Sequence, residues 1–187
     1  MLHYLKFTTF PVIAIGVMHA MMQGGAWMYT GIAALVLVVA LGDILLPDDR
    51  SEPRMEGEFF LNLMLWLTLP ILMWVTLCFT WAVAPVDVLG IDAFMKNTFG
   101  YDRLQLQADT TWYQWFVGAV AGAFLFGAGG TNVGHELTHR TYSMRDMILG
   151  RWMLAFTCDA SFAIEHVYGH HKNLGTPADP ATAQRGE

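Results

Sequence analysis

Long apolar runs alternate with short charged ones along this chain. No Asp, Glu, Lys or Arg occurs from Phe7 to Gly42, from Phe59 to Val86, or from Thr110 to Gly134. Crossing a hydrocarbon core takes about 20 apolar residues, and the backbone amides inside it must pair within a helix. The runs therefore predict an all-α integral membrane bundle of about four transmembrane helices. The first run is too long for one span, and Gln23-Gly24-Gly25 near its middle predicts a tight hairpin of two helices, roughly 5–22 and 27–46. A third helix is expected over 59–85, kinked at Pro70, and a fourth over 112–130. A further apolar stretch, 147–164, carries Arg151 and Asp159. It reads as an interfacial helix that returns its end to the face it started from.

Composition fits this picture: 55% of residues are apolar and 14% charged, too polarised for an ordinary soluble domain. Lys6 ahead of the first run is compatible with a cleaved signal segment as well as with a retained helix. Either way the 47–58 loop falls in the cytoplasm, and so does the end of the fourth helix. Arg50 and Arg54 on one face are matched by Lys96 and Arg103 on the other, but Arg140, Arg145 and Arg151 tip the balance toward the cytoplasm. A net charge of −6 argues against a nucleic-acid partner. Cys78 and Cys158 lie in apolar stretches with no Cys-x-x-Cys spacing, which supports neither a disulfide framework nor a thiolate zinc site. The segments 47–58 and 86–109 read as solvated connections.

Histidine changes the picture. Five of the seven lie between residues 135 and 171, as His135 and His139 in "HELTH" and as His166, His170 and His171 in "HVYGHH". Side chains four apart on a helix stack on one face, which suits two imidazoles gripping a metal. The first pair follows the fourth span directly and the second group ends the interfacial stretch, so both are expected at one membrane surface. Neutral imidazole suits iron, zinc, copper and nickel. Glu136 and Glu165 adjoin these histidines and Asp159 sits seven residues before His166, which makes them candidate hydrogen-bond partners for ligand imidazoles. Solvation or pairing with Arg140 or Lys172 competes for the two glutamates. His3 and His19 are scattered and read as non-ligands.

"GHELTHR" at 134–140 and "EHVYGHHKNLGTPADPATAQRGE" at 165–187 resemble the first two histidine boxes of the integral-membrane alkane hydroxylases, the alkane 1-monooxygenases. These belong to the membrane fatty-acid desaturase and hydroxylase superfamily, and the branch includes xylene-type monooxygenases. The resemblance is close over 131–187 and loose over the spans. It implies a six-helix bundle with a non-haem di-iron centre at its cytoplasmic end, in the inner (plasma) membrane, and a hydrophobic substrate channel. His135, His139, His166, His170 and His171 would ligate two iron ions, with O₂ as co-substrate and electrons from rubredoxin or a ferredoxin with its reductase. A lone histidine and a third box, His-x-x-His-His, are absent up to Glu187. The expectation is therefore that residues 1–187 are the amino-terminal part of one catalytic domain, inactive alone.

The activity implied is hydroxylation of a terminal C–H bond of an alkane or similar apolar substrate. Trp66, Trp74 and Trp81 are candidates to line the channel, although such residues more often face lipid or pack helices. A fatty-acid desaturase is the alternative enzyme. The alternative outside enzymes is a haem- or metal-binding membrane protein, which would place paired histidines inside spans; only His19 lies in a hydrophobic run.

Overall fold

The computed structural model describes residues 2–45, 57–87 and 90–183. Most of the predicted 47–58 turn, with Arg50 and Arg54, lies outside these residues, as do Arg185, Gly186, Glu187 and the side chain of His3. Helices account for all the regular structure among the described residues. Helical turns at Leu2–Leu5 and Lys6–Thr8 lead into α1 (Thr9–Gln23), a 3-10 turn at Gly25–Trp27 leads into α2 (Met28–Leu45), and α3 covers Glu58–Val83. Next come α4 (Asp92–Phe99), α5 (Arg103–Asp109) and α6 (Trp112–Leu125). A π-helical segment, Phe126–Val133, carries α6 without a break into α7 (Gly134–Thr138). The chain then forms α8 (Met144–Ala155), α9 (Phe162–Ile164), a second π segment (Glu165–His170) and α10 (His171–Asn173).

Among the described residues, three helical stretches are long and apolar enough to cross a membrane: Gly25–Leu45, Glu58–Val83 and Trp112–Thr138. The predicted first span divides instead into helical turns and the 15-residue α1. At 1.5 Å per residue, α1 alone is about 22 Å long, short of the roughly 30 Å hydrocarbon thickness. Pro70 lies inside α3 as expected. The predicted loop at 86–109 contains α4 and α5. The predicted single helix at 147–164 breaks after Ala155, where Cys158 takes a left-handed backbone with φ of 60°.

The described chain divides into two compact units, one of Met1–Leu61 with Met73–Leu125, the other of Asn62–Leu72 with Phe126–Glu187. In the first, the α1–α2 hairpin packs on α6 through small residues. Met28 fills the space over Gly118, and the methyl of Met21 lies over Gly122, so Gly118-x-x-x-Gly122 lets the helices approach closely. The outer side of α2 is apolar and exposed at Val36, Val39 and Ile44, as a helix in lipid requires. The carboxy-terminal carbonyls of α3 have no partners within their own helix. Gln107 donates to the carbonyls of Ala82 and Ala84 at 2.8 and 2.7 Å, and buried Arg103 donates to Ala84 at 2.7 Å. Arg103 also grips Asp92, which accepts from the Trp81 indole at 2.8 Å. The Arg103 guanidinium holds the Asp92 carboxyl below the ordinary range. Trp81 is thus a buried packing residue, whereas Trp74 remains half exposed.

In the second unit, α7 crosses α8 at two glycines. A Cβ on Gly150 would meet the Gly134 carbonyl at 2.7 Å, and one on Gly134 would meet the Gly150 carbonyl at 3.0 Å. Backbone contact at this point fixes the position of His135, the next residue along.

Candidate metal centre

Both histidine groups converge within the second unit. His135, on the first full turn beyond the π segment, and His139, at the end of α7, stack as their four-residue spacing requires, with Nε2 atoms 2.7 Å apart. Nε2 of His166 lies 2.7 Å from that of His135, and Nε2 of His171 lies 3.0 Å from that of His166. One ligand atom from each of these four residues falls within 4.8 Å of the others.

The second group does not follow α-helical spacing. His166 and His170 sit on the π segment, whose hydrogen bonds close after five residues instead of four. The residue brought over His166 is consequently His171. His170 turns its Nδ1 toward Asp179, at 2.8 and 3.0 Å from the two carboxylate oxygens, with its ring stacked 5.4 Å from that of His166.

The contacts among the four Nε2 atoms form a chain: His139 to His135 to His166 to His171. A neutral imidazole has one N–H and one lone pair, so each Nε2 can only donate or accept. With three contacts in a row, at most two can be proper hydrogen bonds, and one close pair of nitrogens is always left without one. A cation among them turns every contact into shared coordination of one charge, so the donor set fits a metal ion of the kind imidazole binds. Burial and the neighbouring imidazoles push His166 down to about 4 and lower His139 as well. Both shifts favour the neutral form that ligates.

Surrounding groups fix these rings. Phe162 stacks on His166 at 4.7 Å between centroids and meets His135 edge to face at 5.6 Å. Arg140, next after His139, donates to Asn62 at 2.6 Å and approaches buried Asp146 at 3.5 Å. Asp146 also accepts from the Trp66 indole at 3.0 Å, and Arg145 lies over the Trp66 ring at 3.6 Å. Trp66 is thereby part of the scaffold of the first box. The Asp179 carboxylate is fully buried and accepts from Thr182 and from the amides of Ala181 and Gly175 besides His170. The Thr182 hydroxyl, the Ala181 amide and His170 hold it far below the ordinary carboxylate range, against the cost of burial.

None of the three acids singled out in the sequence hydrogen-bonds an imidazole among the described residues. Glu136 is exposed and lies 3.9 Å from Arg140, Glu165 is exposed, and Asp159 is half buried with only backbone hydrogen bonds. The acid that does so is Asp179. Its signal was the Thr-Pro-Ala-Asp-Pro turn, nine residues beyond His170 and too far along the chain for helical spacing to find.

Among the described residues, three helical stretches have membrane-spanning length, and four imidazoles converge at a point that could hold a metal ion. Residues 110–187 match the fatty acid desaturase family. The chain is 26% identical to alkane 1-monooxygenase 1 of Alcanivorax borkumensis over 86% of its own length and 34% of that protein's. It is 27% identical to the xylene/toluene monooxygenase hydroxylase component of Pseudomonas putida over 98% of its own length and 44% of the relative's. A shorter stretch, 30% of this chain and 14% of the relative, is 48% identical to an alkane 1-monooxygenase of Acinetobacter baylyi. No solved structure matches. The chain thus spans about a third of the first relative and less than half of the second. Together the family match and these relatives support the alkane hydroxylase branch of the membrane desaturase and hydroxylase superfamily.

Proposed function

We propose that the chain is part of a membrane non-haem di-iron monooxygenase that hydroxylates a terminal C–H bond of an alkane or similarly apolar substrate. The observation that carries this reading is the convergence of two histidine boxes, 31 residues apart, on one point where four ligand atoms lie within 4.8 Å of one another. The relatives bear the names alkane 1-monooxygenase and xylene/toluene monooxygenase, which supports the substrate class. Because they are much longer than this chain, the five histidines would be one portion of a larger ligand set within a single catalytic domain.

Bound iron would supply O₂ activation, with electrons delivered by rubredoxin or a ferredoxin and its reductase. The chain's own groups do the holding. His135, His139, His166 and His171 present Nε2 atoms, and His170 would add its own Nε2 while Asp179 retains the Nδ1 proton. Phe162 shields the His135–His166 contact from water, and Arg140 anchors the end of α7 through Asn62 and Asp146. Glu136, Asp159 and Glu165 would act only through water or Arg140. In the inner membrane, the arginines that follow α7 would keep this end cytoplasmic.

The test uses membranes expressing the full-length protein of which this chain is proposed to be part, supplied with dodecane, O₂, NADH, rubredoxin and its reductase. Dodecan-1-ol is the expected product. An alkene formed from a fatty acyl substrate, with no alcohol from dodecane, would overturn the reading in favour of a desaturase, and a Soret band on the purified protein would replace iron with haem.

A further inference from the structure

A cavity lies in the first unit, and none of its lining residues belongs to the two histidine boxes. It has a volume of about 340 Å³, within the range of small-molecule sites. Met18 and Met22 of α1, Cys78 of α3 and Met95 of α4 line it, and no charged side chain does so among the described residues. Besides the Trp74 indole and the Cys78 thiol, its hydrogen-bonding groups are His19 and Tyr101, which are paired: His19 Nδ1 lies 2.7 Å from the Tyr101 hydroxyl. His19 is the histidine that the sequence left without a partner, and its partner is 82 residues away.

The pair is built rather than incidental. Gly100 ends α4 in the left-handed region, with φ of 77°, and the amides of Gly100 and Tyr101 bond back to the carbonyls of Lys96 and Met95. Asp102 immediately caps α5 through the amides of Leu104 and Gln105 and pairs with Lys96 at 2.6 Å. Tyr101 is therefore pinned between two helix ends with its ring stacked on Phe99. Trp27 meets the His19 ring edge to face. The ionic groups nearby are already committed, Lys96 to Asp102 and Arg103 to Asp92.

What such a pair can bind follows from proton counting. If Tyr101 donates to Nδ1, the pair keeps the Nε2–H as donor and the phenol oxygen as acceptor. If Nδ1–H donates to Tyr101, the phenol O–H remains as donor and Nε2 as acceptor. The two ring nitrogens face opposite edges of the imidazole, so a ligand beside the phenol meets Tyr101 alone, which accepts in the first tautomer and donates in the second; a hydroxyl group can answer either. An alkane would leave the phenol unused, and a carboxylate would bring a charge that no lining residue neutralises. Neutral acceptors such as esters would answer only the second.

We propose that this cavity binds a neutral amphiphile with a single hydroxyl head, of the class of medium- to long-chain primary alcohols, its hydroxyl held by Tyr101, whose phenol His19 orients, and its chain among the methionines. The biological meaning rests on the function proposed above, because a primary alcohol is what terminal hydroxylation of an alkane produces; the binding itself does not. Diacylglycerol carries the same hydroxyl chemistry and comes from the membrane instead.

The experiment uses the metal-free chain in lipid nanodiscs with a dodecan-1-ol analogue carrying a mid-chain diazirine, photolysed and mapped by peptide mass spectrometry. Label is expected on the peptides holding Met18, Met22 and Met95. Excess dodecan-1-ol should compete, whereas dodecane and dodecanoate should compete about tenfold less well, the value of one hydrogen bond. Tyr101→Phe keeps the ring and should reduce labelling about tenfold at unchanged helix content. Competition by dodecane equal to that of dodecan-1-ol would overturn the proposal, as would label confined to other segments. Dioleoylglycerol displacing the probe better than dodecan-1-ol would also overturn it, in favour of a structural lipid. These competitions use the unaltered chain and no iron, so failure here leaves the hydroxylase reading standing. Binding here with no alcohol formed in the membrane assay would retain the site and remove its role as a product site.

Discussion

The two histidine boxes are spelled alike and built differently. In the first, His135 and His139 lie on the α-helical spacing of α7 and meet through that spacing alone. In the second, a π segment puts one more residue into the turn, so His166 meets His171 and leaves His170 to Asp179. The orienting groups also differ in sign. Arg140, anchored on Asn62 and Asp146, closes the first box, and a buried carboxylate closes the second. Identical letters at identical spacing therefore do not guarantee identical ligand sets, because the local helix period decides which imidazoles face each other.

The largest effect is expected where the boxes join. His135 touches both His139 and His166, so His135→Ala should abolish iron loading of the chain, measured by elemental analysis after anaerobic Fe(II) addition. Next comes the contrast inside the second box. His171→Ala removes one of the four clustered nitrogens and should cost more iron affinity than His170→Ala, and equal losses would show that the second box behaves as a plain α-helix. Smaller again is Asp179→Asn, which keeps the shape but removes the carboxylate behind His170. About 10- to 100-fold weaker metal binding is expected, the usual cost of losing such a partner, read by competition with a chelator. Smallest are His3→Ala and His19→Ala, which should leave iron content unchanged; a loss with His19→Ala would mean that the paired ring of the first unit reports on the metal.

Much of this was legible in the sequence. The charge-free runs found α2, α3 and α6, because membrane solubility writes itself into composition over some 20 residues. The convergence of the histidine boxes was legible from their placement after apolar segments. The short helices α4 and α5 were not, since each spans about two turns and sits in a stretch that reads as a polar connection; their end signals, Gly100 and Asp102, were present but separated only by Tyr101. The π segments were invisible to any reading that assumes 3.6 residues per turn, with the glycines at 127, 129 and 130 as the only local hint. Asp179 escaped because neighbours in sequence were weighed as partners, whereas Glu136 and Glu165 point to solvent and the effective acid arrives on a returning loop.

That loop has a thermodynamic meaning of its own. The Asp179 carboxylate holds Gly175, Ala181, Thr182 and His170 together, so the position of one imidazole and the closure of an eight-residue turn are a single equilibrium. An ion drawing on His170 would tighten the turn, and by reciprocity anything that gripped the turn from outside would raise the affinity for the ion by the same factor. The surface of this loop would thus be a handle on such an ion, reached without touching it.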